Sequence, residues 1–165
     1  MILLRRQLFP HSAPRNKLSP EKAVYKESII TMQKAKNESN LSIMMVEDDR
    51  IVSAMVEHLL VRQGFAVISI ADGALASSMI DTIEPPALIL LDVMLPFIDG
   101  FELISQIRKK AGWELVPVIM LTSKTQERNV VRALEAGAND YIVKPFLPQE
   151  LIARVKRLAK TIATK

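Results

Sequence analysis

The sequence predicts an α/β domain: a doubly wound, five-stranded parallel sheet with helices on both faces. Three observations predict it. From residue 41 onward, short aliphatic runs alternate five times with stretches of helical spacing. The run ALILL (87–91) is continuously apolar, as a strand buried on both faces is. Each connection is long enough for a right-handed helical crossover between parallel neighbours.

The elements follow in order. SIMMV (42–46) is a short apolar strand, and Asp49 to Gln63 carries helical spacing until Gly64 stops it. AVISIA (66–71) reads as the second strand and Ala74 to Ile83 as the second helix. ALILL (87–91) is the third strand. Phe101 to Lys110 is a helix whose last residues are basic, which suits a helix C-terminus. VPVIML (116–121) is the fourth strand, and Gln126 to Ala136 the fourth helix, with Gly137 as its stop. YIV (141–143) is the fifth strand; Pro148 then opens a last helix, Glu150 to about Ala163. Residues 41–163 therefore form the domain, and residues 1–40 a basic, poorly ordered arm with three prolines and a short helix over Glu21 to Lys34.

Composition excludes several classes. The chain has no cysteine, so disulfide frameworks and thiolate chemistry are out and a reducing, cytoplasmic setting is expected. No apolar run approaches the ~20 residues that cross a bilayer, and the arginines of MILLRRQLFP come in the wrong order for a secretory signal. The net charge of +4 is unevenly spread. Residues 1–40 hold eight Lys/Arg against three Asp/Glu, and residues 41–165 fourteen against fifteen, giving +5 and −1. Basicity that belongs to an arm leaves no folded basic face, so neither direct nucleic-acid binding nor a membrane is expected. With 5% aromatic residues the core must be aliphatic, and the methionines read as core filler.

In a parallel sheet of this kind, ligands bind beyond the carboxyl ends of the strands. The polar residues of the domain fall there. Glu47, Asp48 and Asp49 follow the first strand, Asp92 the third, Thr122 and Ser123 the fourth, and Lys144 and Pro145 the fifth. Carboxylates gathered at one place repel, and a hard divalent cation such as Mg²⁺ neutralises them. A lysine, a hydroxyl and Mg²⁺ around one carboxylate make a site for moving a phosphoryl group onto it. Asp92, at the end of so apolar a run, is costly to desolvate unless it is paired, hydrogen-bonded or bound to a cation.

The acidic cluster in MMVEDD, the aspartate of LLDVMLPFIDG, LTS at 121–123 and DYIVKPF at 140–146 together resemble the receiver domains of two-component response regulators. The separations, 44 from Asp48 to Asp92, 30 to Thr122 and 22 to Lys144, resemble that family's own. The resemblance spans residues 41 to about 163. It implies a flavodoxin-like (βα)5 receiver fold with Asp92, exposed at a strand end, as phosphoacceptor and Asp48 as direct metal ligand. Glu47 would act on the metal through water, and Met94 would offer its backbone carbonyl. Lys144 would pair with a phosphoryl oxygen, Thr122 would hydrogen-bond another, and Tyr141 would reorient as Thr122 moves. Lys144–Pro145 resembles the family's cis peptide.

The implied function is a switch charged by a histidine kinase or phosphotransfer protein and read by a downstream protein or by homodimerisation. Such a receiver catalyses only its own phosphorylation and dephosphorylation and is no turnover enzyme. The last third resembles the DNA-binding branch, whose receivers pair through their fourth helix, fifth strand and fifth helix. Asp140 with Arg154 and Glu135 with Lys156 would be pairs between subunits, while Glu150 would face Val130. Few residues follow the last helix, so a stand-alone receiver is expected rather than one joined to a DNA-binding domain. The rival is an aspartyl-nucleophile phosphatase or phosphotransferase of haloacid dehalogenase type. That chemistry wants a second aspartate at position 94, where Met94 stands. Asp49 has a second reading as a helix cap only, His58 and His11 read as solvated residues, and Arg108, Lys109 and Lys110 as a solvated helix end.

Overall fold

A computed structural model describes residues 41–123 and 127–163, with six single positions between 23 and 34. Those six are helical and lie in the stretch read as a short helix; the disorder expected of the rest of the arm lies outside the described residues. Strands β1 (Ser42–Val46), β2 (Ala66–Ile70), β3 (Leu88–Asp92), β4 (Val118–Thr122) and β5 (Asp140–Val143) alternate with helices α1 (Arg50–Val61), α2 (Gly73–Ile80), α3 (Gly100–Lys109), α4 (Glu127–Glu135) and α5 (Pro148–Ala163). The strands form one sheet in the order β2-β1-β3-β4-β5, and every pairing is parallel. This is the flavodoxin-like order, whose direction of winding reverses between β1 and β3.

Strand side chains alternate between faces, and the core divides accordingly. Met44, Val46, Ile89, Leu91, Val118 and Met120 pack under α2, α3 and α4. Ile43, Met45, Leu88, Leu90, Ile119 and Leu121 pack under α1 and α5. Because both faces are covered, β3 and β4 are buried along their whole length and read as apolar runs up to their last residue. β2, at the edge of the sheet, admits Ser69, whose hydroxyl donates to Glu57 at 2.8 Å.

Local chemistry sets the boundaries that periodicity misplaces. β4 starts at Val118 rather than Val116, since Pro117 has no N–H to give, though its carbonyl still accepts from Ile89 at 2.9 Å. α2 ends at Ile80, three residues early, where the Asp81 and Thr82 amides both turn back more tightly than helical spacing onto the Met79 carbonyl. α5 begins at Pro148 itself, whose missing donor costs nothing in a first turn. β3 runs on to Asp92 and β5 starts at Asp140, so both carboxylates belong to strands. Among the described residues no helix is long and apolar enough to cross a membrane.

Candidate phosphorylation site

The acidic residues at the carboxyl end of the sheet sort by what their side chains do. Asp49, Asp72 and Asp99 cap α1, α2 and α3 respectively, each accepting backbone N–H bonds from the first turn that follows. These three satisfy helix starts that would otherwise leave orphan donors. Asp49 is thus the cap that its alternative reading made it. The other two caps were not singled out in the sequence, although an Asp-Gly step before an apolar helical run was visible at both.

Glu47, Asp48 and Asp92 remain. One carboxylate oxygen from each lies within 4.8 Å of the others. Glu47 leaves β1 with its amide held by the Ile70 carbonyl at 2.9 Å, and its side chain is buried. Asp92 is buried too, with 5% of its surface exposed, which corrects the expectation of an exposed strand-end carboxylate. The physical reason is Lys144. Its Nζ donates at 2.6 Å to Glu47 Oε2 and at 2.6 Å to Asp92 Oδ2, so the lysine chain folds over both acids. The other Asp92 oxygen accepts the Met94 amide at 3.0 Å. A buried carboxylate with a cation on one oxygen and an amide on the other meets the requirement for leaving water.

Neighbouring strands fix the rest. Asp92 pairs in register with Leu121, and Thr122 with Val143. The Lys144 amide donates to the Thr122 carbonyl at 2.7 Å, and the Lys144–Pro145 bond is cis. Thr122 is therefore carried one strand from Asp92, buried, at the same end of the sheet. Tyr141 lies half-buried on β5 against the core beneath α4. Met94 exposes its side chain, so the expectation for it concerns its backbone carbonyl alone. A methyl on Gly100 would stand 2.3 Å from the Asp92 carbonyl oxygen, so only glycine lets α3 start this close to the site.

The electrostatics are those of a crowded acid site. Burial pushes the Glu47 carboxyl up, the Asp92 charge adds to this, and the Lys144 hydrogen bond only partly offsets it. Burial would depress the Lys144 ammonium, but hydrogen bonds and charge from Asp92 and Glu47 outweigh it and raise it. Three carboxylates against one ammonium leave a formal −2, the charge one divalent cation neutralises. The oxygen-only donor set suits a hard cation.

Away from this end, two expectations meet different geometry. Asp140 and Arg154, expected to pair between subunits, pair within one chain: Arg154 Nη1 donates to both Asp140 oxygens at 2.9 and 3.0 Å, and Arg157 adds a bond at 2.7 Å. Arg154 also holds Glu150, while Lys156 Nζ reaches Gln63 and Glu135 is exposed on α4. Arg108 is not the solvated helix end expected of it. Half-buried, it gives five hydrogen bonds to the Gly137, Glu114 and Val116 carbonyls and the Asn139 side chain. It ties α3 to the turn before β5, an acceptor set assembled only in the fold.

Known proteins resemble this chain in sequence and fold. Residues 43–156 match the family model of the response regulator receiver domain. The chain is 41% identical over 121 residues to the alkaline phosphatase synthesis transcriptional regulatory protein PhoP of Bacillus subtilis, covering 73% of this chain and 49% of that protein. It is 42% identical over 114 residues to the DNA-binding response regulator MtrA of Mycobacterium tuberculosis, covering 69% of this chain and 48% of that one. The chain thus spans about half the length of these curated relatives. Among solved structures, the Francisella response regulator 1452 receiver domain is similar with a TM-score of 0.69 at 30% identity, covering 74% of this chain and 99% of that one. The receiver domain of the sensor histidine kinase PA1611 from Pseudomonas aeruginosa, which has a magnesium ion in its active site cleft, follows at 0.68 and 31%, covering 73% and 98%. With its strand order, its strand-end acids and a match over most of its length, the chain belongs to the response regulator receiver family of two-component systems.

Proposed function

We propose that Asp92 accepts a phosphoryl group from the phosphohistidine of a histidine kinase or phosphotransfer protein, and that this switches binding to a downstream protein or to a second copy of the chain. The observation that carries the proposal is Lys144 Nζ at 2.6 Å from both Glu47 and Asp92, with Asp48 in the same cluster. An Asp92 oxygen attacks phosphorus, the phosphorus–nitrogen bond breaks, and its electron pair returns to the histidine ring. The acyl phosphate so formed later yields to water, which releases inorganic phosphate and restores the carboxylate. Such a protein performs only these two steps on itself.

Lys144 supplies the positive charge. Already bonded to Asp92, it needs little movement to pair with an oxygen of the arriving group, and a preplaced charge is what stabilises charge developing in transfer. Thr122 hydrogen-bonds a second phosphoryl oxygen, and Tyr141 on the adjoining strand reorients with it. Asp48, Asp92 and the Met94 carbonyl, with Glu47 through water, would hold Mg²⁺, which supplies charge neutralisation between carboxylates and phosphoryl oxygens. We place the reaction in the cytoplasm, which the absence of cysteine suits.

Incubation with Mg²⁺ and a small phosphodonor, followed by mass spectrometry, tests the assignment. A single phosphoryl group should appear on the parent only when Mg²⁺ is present, and none on Asp92→Asn. An intact phosphoprotein signal in that variant would sink it.

A further inference from the structure

Asp92 is followed by a short loop, residues 93–99, that carries Met94 to the site and leads into α3. The loop holds itself tightly: Met94 donates to the Asp92 side chain at 3.0 Å, Ile98 to the Pro96 carbonyl at 2.9 Å, and Gly100 to the Val93 carbonyl at 3.1 Å. Between Pro96 and Ile98 sits Phe97, with φ at 69° and 87% of its surface exposed. A bulky side chain in the left-handed region is disfavoured, and an exposed ring contributes no packing to offset that. Such a conformation persists only where its surroundings impose it. The surroundings are the start of α2. The Gly73 amide donates to the Pro96 carbonyl at 3.3 Å, and a methyl on Gly73 would stand 1.9 Å from the Ile98 carbonyl oxygen and 2.8 Å from its carbon. The two residues flanking Phe97 are thus both seated on Gly73. Asp72 fixes that seat in turn, its carboxylate accepting the Leu75 amide at 2.7 Å.

We propose that Gly73, on a helix that contributes no ligand, is a positioning residue for the phosphorylation site: it seats the 93–99 loop and so sets where Met94 and the Asp92 carboxylate stand. The inference rests on the proposed function for its consequence, though not for its geometry. A side chain at position 73 must push Ile98 away, and a loop this tightly bonded passes the displacement to Met94.

The test measures Mg²⁺ affinity by calorimetry and backbone amide resonances of the metal-free protein. Gly73→Ala should weaken Mg²⁺ binding about tenfold, the size of effect seen when groups that orient ligands are lost. It should also shift the Met94 to Asp99 resonances without metal. Gly64→Ala is the control, a residue with φ at 86° and nothing within 4 Å of an added methyl. It loses stability through its backbone but should keep parental affinity and loop resonances. Affinity unchanged in Gly73→Ala, or weakened equally in Gly64→Ala, overturns the proposal. Should Gly73→Ala not fold, Asp72→Ala and Asp72→Asn decide: both remove the charge, and only asparagine keeps the cap. Weaker Mg²⁺ binding in the alanine variant supports the seat, and equal binding overturns it. A parent that binds no Mg²⁺ would fail the proposed function instead, leaving the metal-free resonances to judge the seat.

Discussion

Replacing Lys144 with methionine keeps most of the unbranched side chain but removes the terminal ammonium, and its charge, from between two buried carboxylates. The lysine side chain is 18% exposed, that of Glu47 0% and that of Asp92 7%. Removing one partner of a buried ion pair costs about 3–5 kcal/mol. Two acids lose their partner here, but exposed Asp48 shows that water reaches the mouth of the cluster, so the lower end applies, about 3 kcal/mol. For a domain of this size that lowers the melting temperature by roughly 10 °C.

The loss has a signature in pH. Glu47 already has its pKa raised above the ordinary 4.5, first by burial, and loss of the Lys144 hydrogen bond raises it further. An acid raised by folding contributes stability that is fully present below its unfolded pKa and fades as pH rises through its folded one. The variant should therefore recover toward the parent on acidification from neutral pH toward 4.5. Lys144 in the parent is raised as well, so its contribution is intact below the ordinary 10.5 and fades only above it. Added Mg²⁺ should stabilise the variant more than the parent, since a cation replaces the missing charge. Urea unfolding with chelator at several pH values reads all of this. A variant as stable as the parent at neutral pH without metal would refute the claim that Lys144 makes the burial of Asp92 tolerable.

Arg108→Met should cost about 2 kcal/mol, because four acceptors lose a charged donor while retaining some access to water; a loss below about 0.5 kcal/mol in thermal unfolding would restore the solvated reading. Asp48→Ala should weaken Mg²⁺ binding far more than Asp49→Ala, whose carboxylate is committed to the Ile51 and Val52 amides, and calorimetry giving equal effects would reassign the ligands. Gly100→Ala should slow phosphoryl acceptance from a small donor, since the new methyl displaces the Asp92 backbone; an unchanged rate by mass spectrometry would mean that the strand end tolerates the shift. Beryllofluoride should convert the protein to a weak, salt-sensitive dimer, and sedimentation showing an unchanged monomer at high micromolar concentration would leave partner binding as the role of the α4–β5–α5 face.

The sheet was legible because its physics leaves a simple trace. Strands covered on both faces carry few polar residues inward, so five largely apolar runs mark five strands, and the candidate site residues collect where those runs stop. What the runs do not encode is a missing donor. Pro117 counts as apolar company for Val116 and Val118, yet it has no N–H to donate, and β4 begins only after it. Nor does a run say whether its last carboxylate meets water. Asp92 is buried because a lysine 52 positions later lies across it, and no local pattern contains that fact. Arg108 failed in the same way: a basic residue in the last turn of a helix suits the dipole at the surface, and only the packed fold brings the Gly137, Glu114 and Val116 carbonyls to its guanidinium.

Charge pairs expose a further limit of reading from sequence. Positions 140 and 154 carry opposite charges that do meet, but spacing alone cannot tell a contact within a chain from one between chains. In the single chain Asp140 is buried and already holds two arginines, and Arg154 already holds Glu150. A symmetric dimer using these groups exchanges existing pairs for new ones, so what it gains is only the difference between the two sets. The net electrostatic gain is therefore small. Val131 and Leu134, each about half exposed on α4, offer that face an apolar contribution that no exchange cancels. Association there must draw on those side chains for strength and on the ion pairs for register, which is why it should be weak before phosphorylation and sensitive to salt after it.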